Sequence, residues 1–349
     1  MQRIENYNLA GHNTFRMDAR CTCYIEYDNA ADLEKIDWDS LPKPIKHIGE
    51  GSNLLITGDF PGTILHSAIK YIKYVDMGLD QIPVMVGSGV NWDSFVEETC
   101  SHGLWGAENL SLIPGEVGAG AVQNIGAYGT EIKDIISGIV CYDLAERKKV
   151  KFQTCECDYR YRDSMFKNSN GRYIVTSVLF RLSRKYSPRL EYKGIRKALG
   201  LPETAAMEDP ADLTPMQVRK AIIDVRNEKL PDPKIIGSAG SFFKNPVVSA
   251  AHFATIRDLS RKEFGADVTV PHFINPDGTI KIPAAWMIDR CGLKGATQGG
   301  AAVYEKQPLV IVNASGCAKA EDVIKLEERI IRTVESKFGV TLHPEVEHL

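Results

Sequence analysis

From Pro114 to Gly129 the chain reads PGEVGAGAVQNIGAYG, with five glycines in sixteen residues. That density frees the backbone for left-handed turns and close approach, and it weakens any regular element laid across the tract. The remaining residues, Val117, Val122 and Ile125 among them, are too apolar for a disordered linker. The tract is therefore expected to be a loop packed against a scaffold. Sequence on both sides supplies one. Upstream, Ile45 to Ile56, Gly62 to Ser67 and Val84 to Trp92 alternate short apolar runs with glycine turns. Downstream, Ser137 to Leu144 and Lys148 to Gln153 pattern as a hairpin, and Arg172 to Leu182 is another β-rich run.

Two glycine turns in that scaffold invite a phosphate reading. Gly49-Glu50-Gly51-Ser52 follows a strand and turns backbone N–H groups outward, as a diphosphate cradle requires, although a plain tight turn explains the residues equally well. A Rossmann dinucleotide site needs a third glycine. Leu54 stands in its place here, and Trp92 stands there in the Gly87-Ser88-Gly89 turn, so that fold is disfavoured at both.

The helices are signed by their ends. Asn91 caps a helix that carries Phe95, Val96, Thr99 and Cys100 on one face and stops at Gly103. Thr214, Pro215 and Gln217 form a capping box ahead of Val218, Ala221, Ile222 and Val225. After the strand Leu309 to Ala314, a helix from about Ala320 to Phe338 shows Val323, Ile330, Val334 and Phe338 as a stripe, stopped by Gly339. Between Lys185 and Pro233 six prolines, at 188, 202, 210, 215, 231 and 233, break the chain and mark a domain boundary.

Length and composition narrow the class. At 349 residues, 44% hydrophobic and 25% charged, the chain has room for two or three ordinary globular domains. A net charge of -3 gives no basic field for nucleic acid. No apolar run reaches the length of a membrane span, and the first residues lack a secretory leader, so a cytoplasmic protein is expected. The eight cysteines include no C-x-x-C pair, which argues against a metal site; Cys21/Cys23 and Cys155/Cys157 read as structural pairs on strand faces.

Seven segments, in order, resemble one family: Asn13-Thr14-Phe15, the GEGSN loop at 49–53, Ile113-Pro114-Gly115 with Val117-Gly118, the heptad Gln123 to Gly129, Tyr161-Arg162-Asp163-Ser164, the heptad Gly240 to Pro246, and Pro344-Glu345-Val346. The chain is similar to UDP-N-acetylenolpyruvoylglucosamine reductases over nearly its whole length. The resemblance implies an α+β protein with a two-lobed FAD-binding domain of the vanillyl-alcohol-oxidase/PCMH type, residues 1–68 and 69–215, the flavin lying between the lobes. A substrate-loop insertion from about residue 185 marks the longer form of the family, and a C-terminal α+β substrate-binding domain covers 216–349. It implies FAD contacts from Gly49, Glu50, Gly51, Ser52, Asn53, Pro114, Gly115, Gly118, Gln123, Asn124 and Gly126.

The implied reaction uses NADPH and bound FAD to reduce the enolpyruvyl ether of a UDP-sugar during peptidoglycan precursor synthesis, and a monomer is expected. Arg162 and Glu345 would meet the charge that builds on the substrate carboxylate, and Ser241 would protonate the α-carbon, with Lys229 or Lys244 restoring its proton. Tyr192, Lys229 and Asn245 would hold the UDP-sugar. Taken alone, Arg162 reads as a surface arginine paired to Asp158 or Asp163, and Ser241 as a turn serine. The sequence departs from the family pattern at Glu116 and Ala119-Gly120-Ala121, where small residues are usual, and at Thr297. Two other readings stand beside this one: an oxidase or dehydrogenase on the same flavin fold, in which Ser241 and Glu345 lack a job, and a nucleotide-binding module without turnover.

Overall fold

The computed structural model describes every residue except 77, 193 and 204–209, so part of the proline-rich stretch lies outside the described residues. The chain divides into two compact units: Met1–Asn8, Arg20–Gly51 and Phe60–Glu228 in the first, and Leu9–Ala19, Ser52–Asp59 and Lys229–Leu349 in the second. Both expected lobes fall in the first unit, apart from residues 9–19 and 52–59.

Among the described residues, two larger sheets build the first unit. One runs in the order β1-β2-β5-β3, with β1 (Gln2–Asn8) antiparallel to β2 (Arg20–Tyr27), and β2 and β3 (Ile45–Ile48) each parallel to β5 (Phe60–Ser67). Ile25, Tyr27 and Leu65 pack there with Leu33 of α1 (Ala30–Glu34) and Trp38. Cys21 and Cys23 are both buried on β2, and burial pushes the Cys21 thiol up to about 11, far from reactive range. The other sheet is antiparallel throughout, in the order β11-β10-β12-β7-β6, from β6 (Ile72–Tyr74), β7 (Gln81–Gly87), β10 (Ile136–Asp143), β11 (Lys148–Gln153) and β12 (Tyr173–Ser183). Val84, Val86, Val178 and Phe180 meet Trp92, Phe95 and Val96 of α2 (Trp92–Ser101), and each fully buried side chain contributes about 1.5–3 kcal/mol. As the sequence predicts, the Asn91 side chain caps α2 by accepting from Ser94 N at 3.0 Å.

Two local expectations fail. The glycine tract is not a loop throughout: Val117–Gln123 forms a helix, α3, followed by the short hairpin β8 (Gly126–Ala127) and β9 (Thr130–Glu131). A Cβ on Gly118 would lie 2.7 Å from Ser88 Cβ, so glycine lets α3 press onto the scaffold. The burial of Val117 and Ala121 that this permits outweighs the roughly 1 kcal/mol of lost propensity per glycine. Cys155 and Cys157 sit on a 3-10 turn rather than a strand, Cys155 exposed and Cys157 buried, because Glu156 folds back to accept from Gln153 N at 2.7 Å. Beyond them lie α4 (Met165–Asn168), α5 (Ile195–Ala198) and α6 (Pro215–Lys229). Val218 and Ile222 of α6 pack with Trp105, Leu190, Ile195 and Leu213, which keeps this helix in the first unit as far as Glu228.

The second unit carries the sheet β13-β19-β18-β17, from β13 (Gly237–Ser241), β17 (Thr297–Gln298), β18 (Ala301–Val303) and β19 (Val310–Asn313). Against β17 and β18 lies α9 (Ala320–Phe338), its stripe of Val323, Ile330, Val334 and Phe338 buried and its end set by Gly339 in the left-handed region. A small sheet, β14 (Val247–Val248), β16 (Ile280–Lys281) and β15 (Phe273–Ile274), accompanies α7 (Ala250–Phe264) and α8 (Ala284–Arg290). Parallel pairing of β20 (Glu347–His348) with β4 (Leu54–Leu55) draws in residues 52–59. Residues 9–19 are held by Thr14, whose hydroxyl donates to Ser238 O at 2.6 Å, and by Phe15, edge-on to Phe242. No helix among the described residues is long and apolar enough to cross a membrane.

Candidate active site

In the first unit the two glycine segments are stapled together. Glu50 spends its carboxylate on this: Oε2 accepts from Gly115 N at 3.1 Å and Oε1 from Asn91 Nδ2 at 3.0 Å. A Cβ on Gly49 would meet Ala119 Cβ and Glu116 Oε2, both at 3.1 Å, so glycine lets the 49–51 turn lie tightly against α3. The turn, the Pro114–Gly115 approach and α3 thus form a surface of bare backbone, a cradle suited to a large planar cofactor and its diphosphate.

Several residues expected at the flavin have side chains already engaged. Gln123 Oε1 accepts from Lys167 Nζ at 2.9 Å. Asn124 is buried in a left-handed conformation, donating to Glu131 Oε2 at 3.0 Å and to Arg160 O at 2.8 Å. These two shape the tract through their own bonds.

Arg162 is turned onto the same tract. Nη2 donates to Gly126 O at 2.5 Å and Nη1 to Asn124 O at 3.3 Å. The carboxylates that a surface reading would assign to it are used elsewhere: Asp158 pairs with Arg160 at 3.1 Å, and Asp163 accepts from Asn168 Nδ2. A second guanidinium, missed in the sequence, accompanies it. Arg226 of α6 is hydrogen-bonded to Tyr128, is close enough to Arg162 to be disfavoured by its charge, and is held below its ordinary pKa mainly by burial. Its buried Nε has no hydrogen-bond partner among the described residues. Arg162 and Arg226 bring two positive charges to this place, and such a pair favours an anion there. Tyr128 stacks edge-on with Tyr192 at 5.1 Å, and Tyr192 is 45% exposed. A signal for Arg226 existed: it lies seven residues, two helical turns, from the buried Arg219 on the apolar stripe of α6.

The second unit brings two other expected residues side by side. Glu345 N donates to Phe242 O at 2.8 Å, Lys244 N donates to His343 O at 2.9 Å, and Phe243 bridges Pro344, so Ser241–Lys244 and His343–Glu345 run as paired extended chains. Asn53 secures the arrangement, its Nδ2 donating to Glu345 O at 3.1 Å. Ser241 ends β13 opposite Val310 with its side chain exposed. Asn245 Oδ1 accepts from Ala284 N at 2.9 Å and thereby closes the start of α8. Lys229 stands exposed at the end of α6, and Thr297 is exposed on β17.

The chain matches the profile of an FAD binding domain over residues 38–145, which contain both glycine segments, and that of the UDP-N-acetylenolpyruvoylglucosamine reductase C-terminal domain over 232–349. A UDP-N-acetylenolpyruvoylglucosamine reductase of Bacteroides fragilis (strain YCH46) is 44% identical over 344 residues, covering 98% of either chain. One from Porphyromonas gingivalis (strain ATCC BAA-308 / W83) is 42% identical over 348 residues, 99% of this chain and 98% of that one. The crystal structure of the UDP-N-acetylenolpyruvylglucosamine reductase from Thermus caldophilus superposes with a TM-score of 0.66 over 99% of this chain and 98% of its own, at 22% identity, and so shares the fold. With this identity sustained over nearly the whole length, the chain belongs to the UDP-N-acetylenolpyruvoylglucosamine reductase family, FAD-dependent oxidoreductases.

Proposed function

We propose that the chain reduces the enolpyruvyl ether of UDP-N-acetylglucosamine to UDP-N-acetylmuramate, with NADPH as electron source and non-covalently held FAD as carrier, as a cytoplasmic monomer in peptidoglycan precursor synthesis. The observation that carries the site assignment is Arg162, a permanent cation fixed on the carbonyls of Asn124 and Gly126 within the cradle segment. FAD, when bound, supplies a hydride to the substrate's β-carbon. That addition drives an electron pair onto the α-carbon and its carboxylate. The planar guanidinium of Arg162 meets the carboxylate, Arg226 adds a second positive charge, and Glu345, kept protonated, donates a hydrogen bond to the same oxygens. Ser241 gives its hydroxyl proton to the α-carbon and regains one from Lys229, Lys244 or water. Tyr192, Lys229 and Asn245 hold the UDP moiety, Tyr192 from the rim.

Anaerobic mixing tests the reading. NADPH should bleach the yellow of the purified protein, the enolpyruvyl sugar should restore it, and acid should release the pigment as FAD. A protein without flavin, or a reduced flavin that this sugar fails to reoxidise, overturns it.

A further inference from the structure

Glu116 stands where a small polar residue is expected, and its extra length is put to use. The carboxylate reaches back to β5, where His66 Nε2 lies 3.0 Å from Glu116 Oε1; His66 Nδ1 lies 2.9 Å from Glu26 Oε2 on the adjacent parallel strand β2. Glu116 is 6% exposed and His66 7%. An imidazole flanked by carboxylate oxygens on both ring nitrogens holds one proton more than neutral histidine beside two carboxylates. Either the ring is imidazolium, or one carboxyl is protonated. With that proton the cluster carries a net charge of -1; without it, -2.

The cluster abuts the flavin cradle. Glu116 opens α3, and its second oxygen, Oε2, is the atom that a Cβ on Gly49 would meet. Other titratable groups face the cluster from every side. The Tyr24 hydroxyl donates to Glu26 at 3.2 Å, and its ring stacks over His66. Glu50 opposes the charge on Glu116, and Lys70, just past β5, favours it. Tyr27 and His47 lie behind, His47 pushed down to about 3 by burial and so neutral.

We propose that Glu26, His66 and Glu116 form a proton-holding clamp that fixes the glycine cradle, and that losing its proton weakens the hold on FAD; this rests on FAD occupying that cradle. Once the proton leaves, one of the two bonds to His66 becomes a contact between two acceptors. Glu116 is then a buried anion no longer balanced by a shared proton on His66, set against the turn that takes a diphosphate. Burial by itself lowers the His66 pKa, but the bonds to Glu116 and Glu26 overcome it and hold the group above its ordinary 6.5, while burial raises Glu116. The proton is therefore in place below pH 6.5 and leaves as pH rises through the raised value, so FAD binding weakens toward alkaline pH.

The test is the FAD dissociation constant, read from the fluorescence of released flavin between about pH 6 and about pH 9. Wild type should weaken by up to about tenfold per pH unit above the midpoint, the limit for one linked proton. Glu116→Gln keeps the shape and removes a charge, so its profile should be flatter, with binding at the alkaline end at least as tight as wild type. A flat wild-type profile, or a Glu116→Gln profile with the wild-type slope shifted by one constant factor, overturns the proposal and leaves Glu116 a packing residue. An NMR titration of His66 in the FAD-loaded wild type needs no variant: its midpoint should lie above 6.5, and one at or below 6.5 overturns the clamp. Failure to bind FAD even at about pH 6, where the clamp is intact, refutes the cradle reading itself.

Discussion

A Cβ on Gly118 has nowhere to go, because it would sit 2.7 Å from Ser88 Cβ and 3.2 Å from Ser88 O. Gly118→Ala should therefore lift α3 off the scaffold, cost about 1–3 kcal/mol in urea or thermal unfolding, and loosen FAD, seen as a rise in its dissociation constant. Tyr192 carries a different expectation. It is exposed and stacked on Tyr128, and in the proposed function it closes over substrate, so Tyr192→Ala should raise the KM for the UDP-sugar roughly tenfold or more and leave that for NADPH nearly unchanged. Equal shifts in both KM values, in steady-state kinetics, would make Tyr192 a packing residue. The residues legible in the sequence were those embedded in contiguous motifs, such as Gly49 and Arg162. Arg226, His66 and Glu26 escaped because each stands alone on a helix or strand, and only the fold carries Arg226 to Tyr128 and His66 to Glu116.

At the scale of elements, α6 is fastened to α2 by Arg219, 5% exposed, whose two terminal nitrogens reach Asp93 at 2.5 and 3.0 Å. Burial raises the Asp93 pKa, but the bonds from Arg219 and from Leu112 N more than reverse this, and the carboxyl is held below its ordinary 3.8. A depressed carboxylate stabilises the fold above its unfolded pKa and stops doing so as pH falls through the folded value. Asp93→Asn takes the hydrogen-bonded carboxylate from a buried guanidinium, leaving only the more distant and exposed Glu97 at 3.9 Å, and should cost about 2–4 kcal/mol near neutral pH, less than for a wholly buried pair because Asp93 is partly exposed. Melting curves should show the gap to wild type narrowing below pH 3.8, whereas a gap that does not change with pH would mean that the charge of Asp93 contributes nothing. The capped helices α2, α6 and α9 were readable because their signals are local. α3 was not, because what stabilises a glycine-rich helix is a strand-end neighbour thirty residues away, at Ser88.

Across the whole molecule, the sequence resolves the order of the parts better than their membership. The second unit recruits residues 9–19 and 52–59 through pairings such as Thr14 with Ser238 and Thr57 with Leu349, 224 and 292 positions apart, and no periodicity along the chain reports contacts so distant. Family motifs picked out the two glycine segments and the stretches around Ser241 and Glu345, while the internal bonds of Gln123, Asn124 and Asn245 became visible only in three dimensions. The account rests most heavily on Ser241 as the proton donor in a flavin reductase. Stopped-flow absorbance resolves the two half-reactions in a folded Ser241→Ala protein. Flavin reduction by NADPH should proceed at near the wild-type rate, and reoxidation by the enolpyruvyl sugar should slow by ~10²–10⁴-fold, the usual contribution of general acid catalysis. Reoxidation slowed by less than about tenfold would contradict the account and return Ser241 to the role of a turn residue at the end of β13.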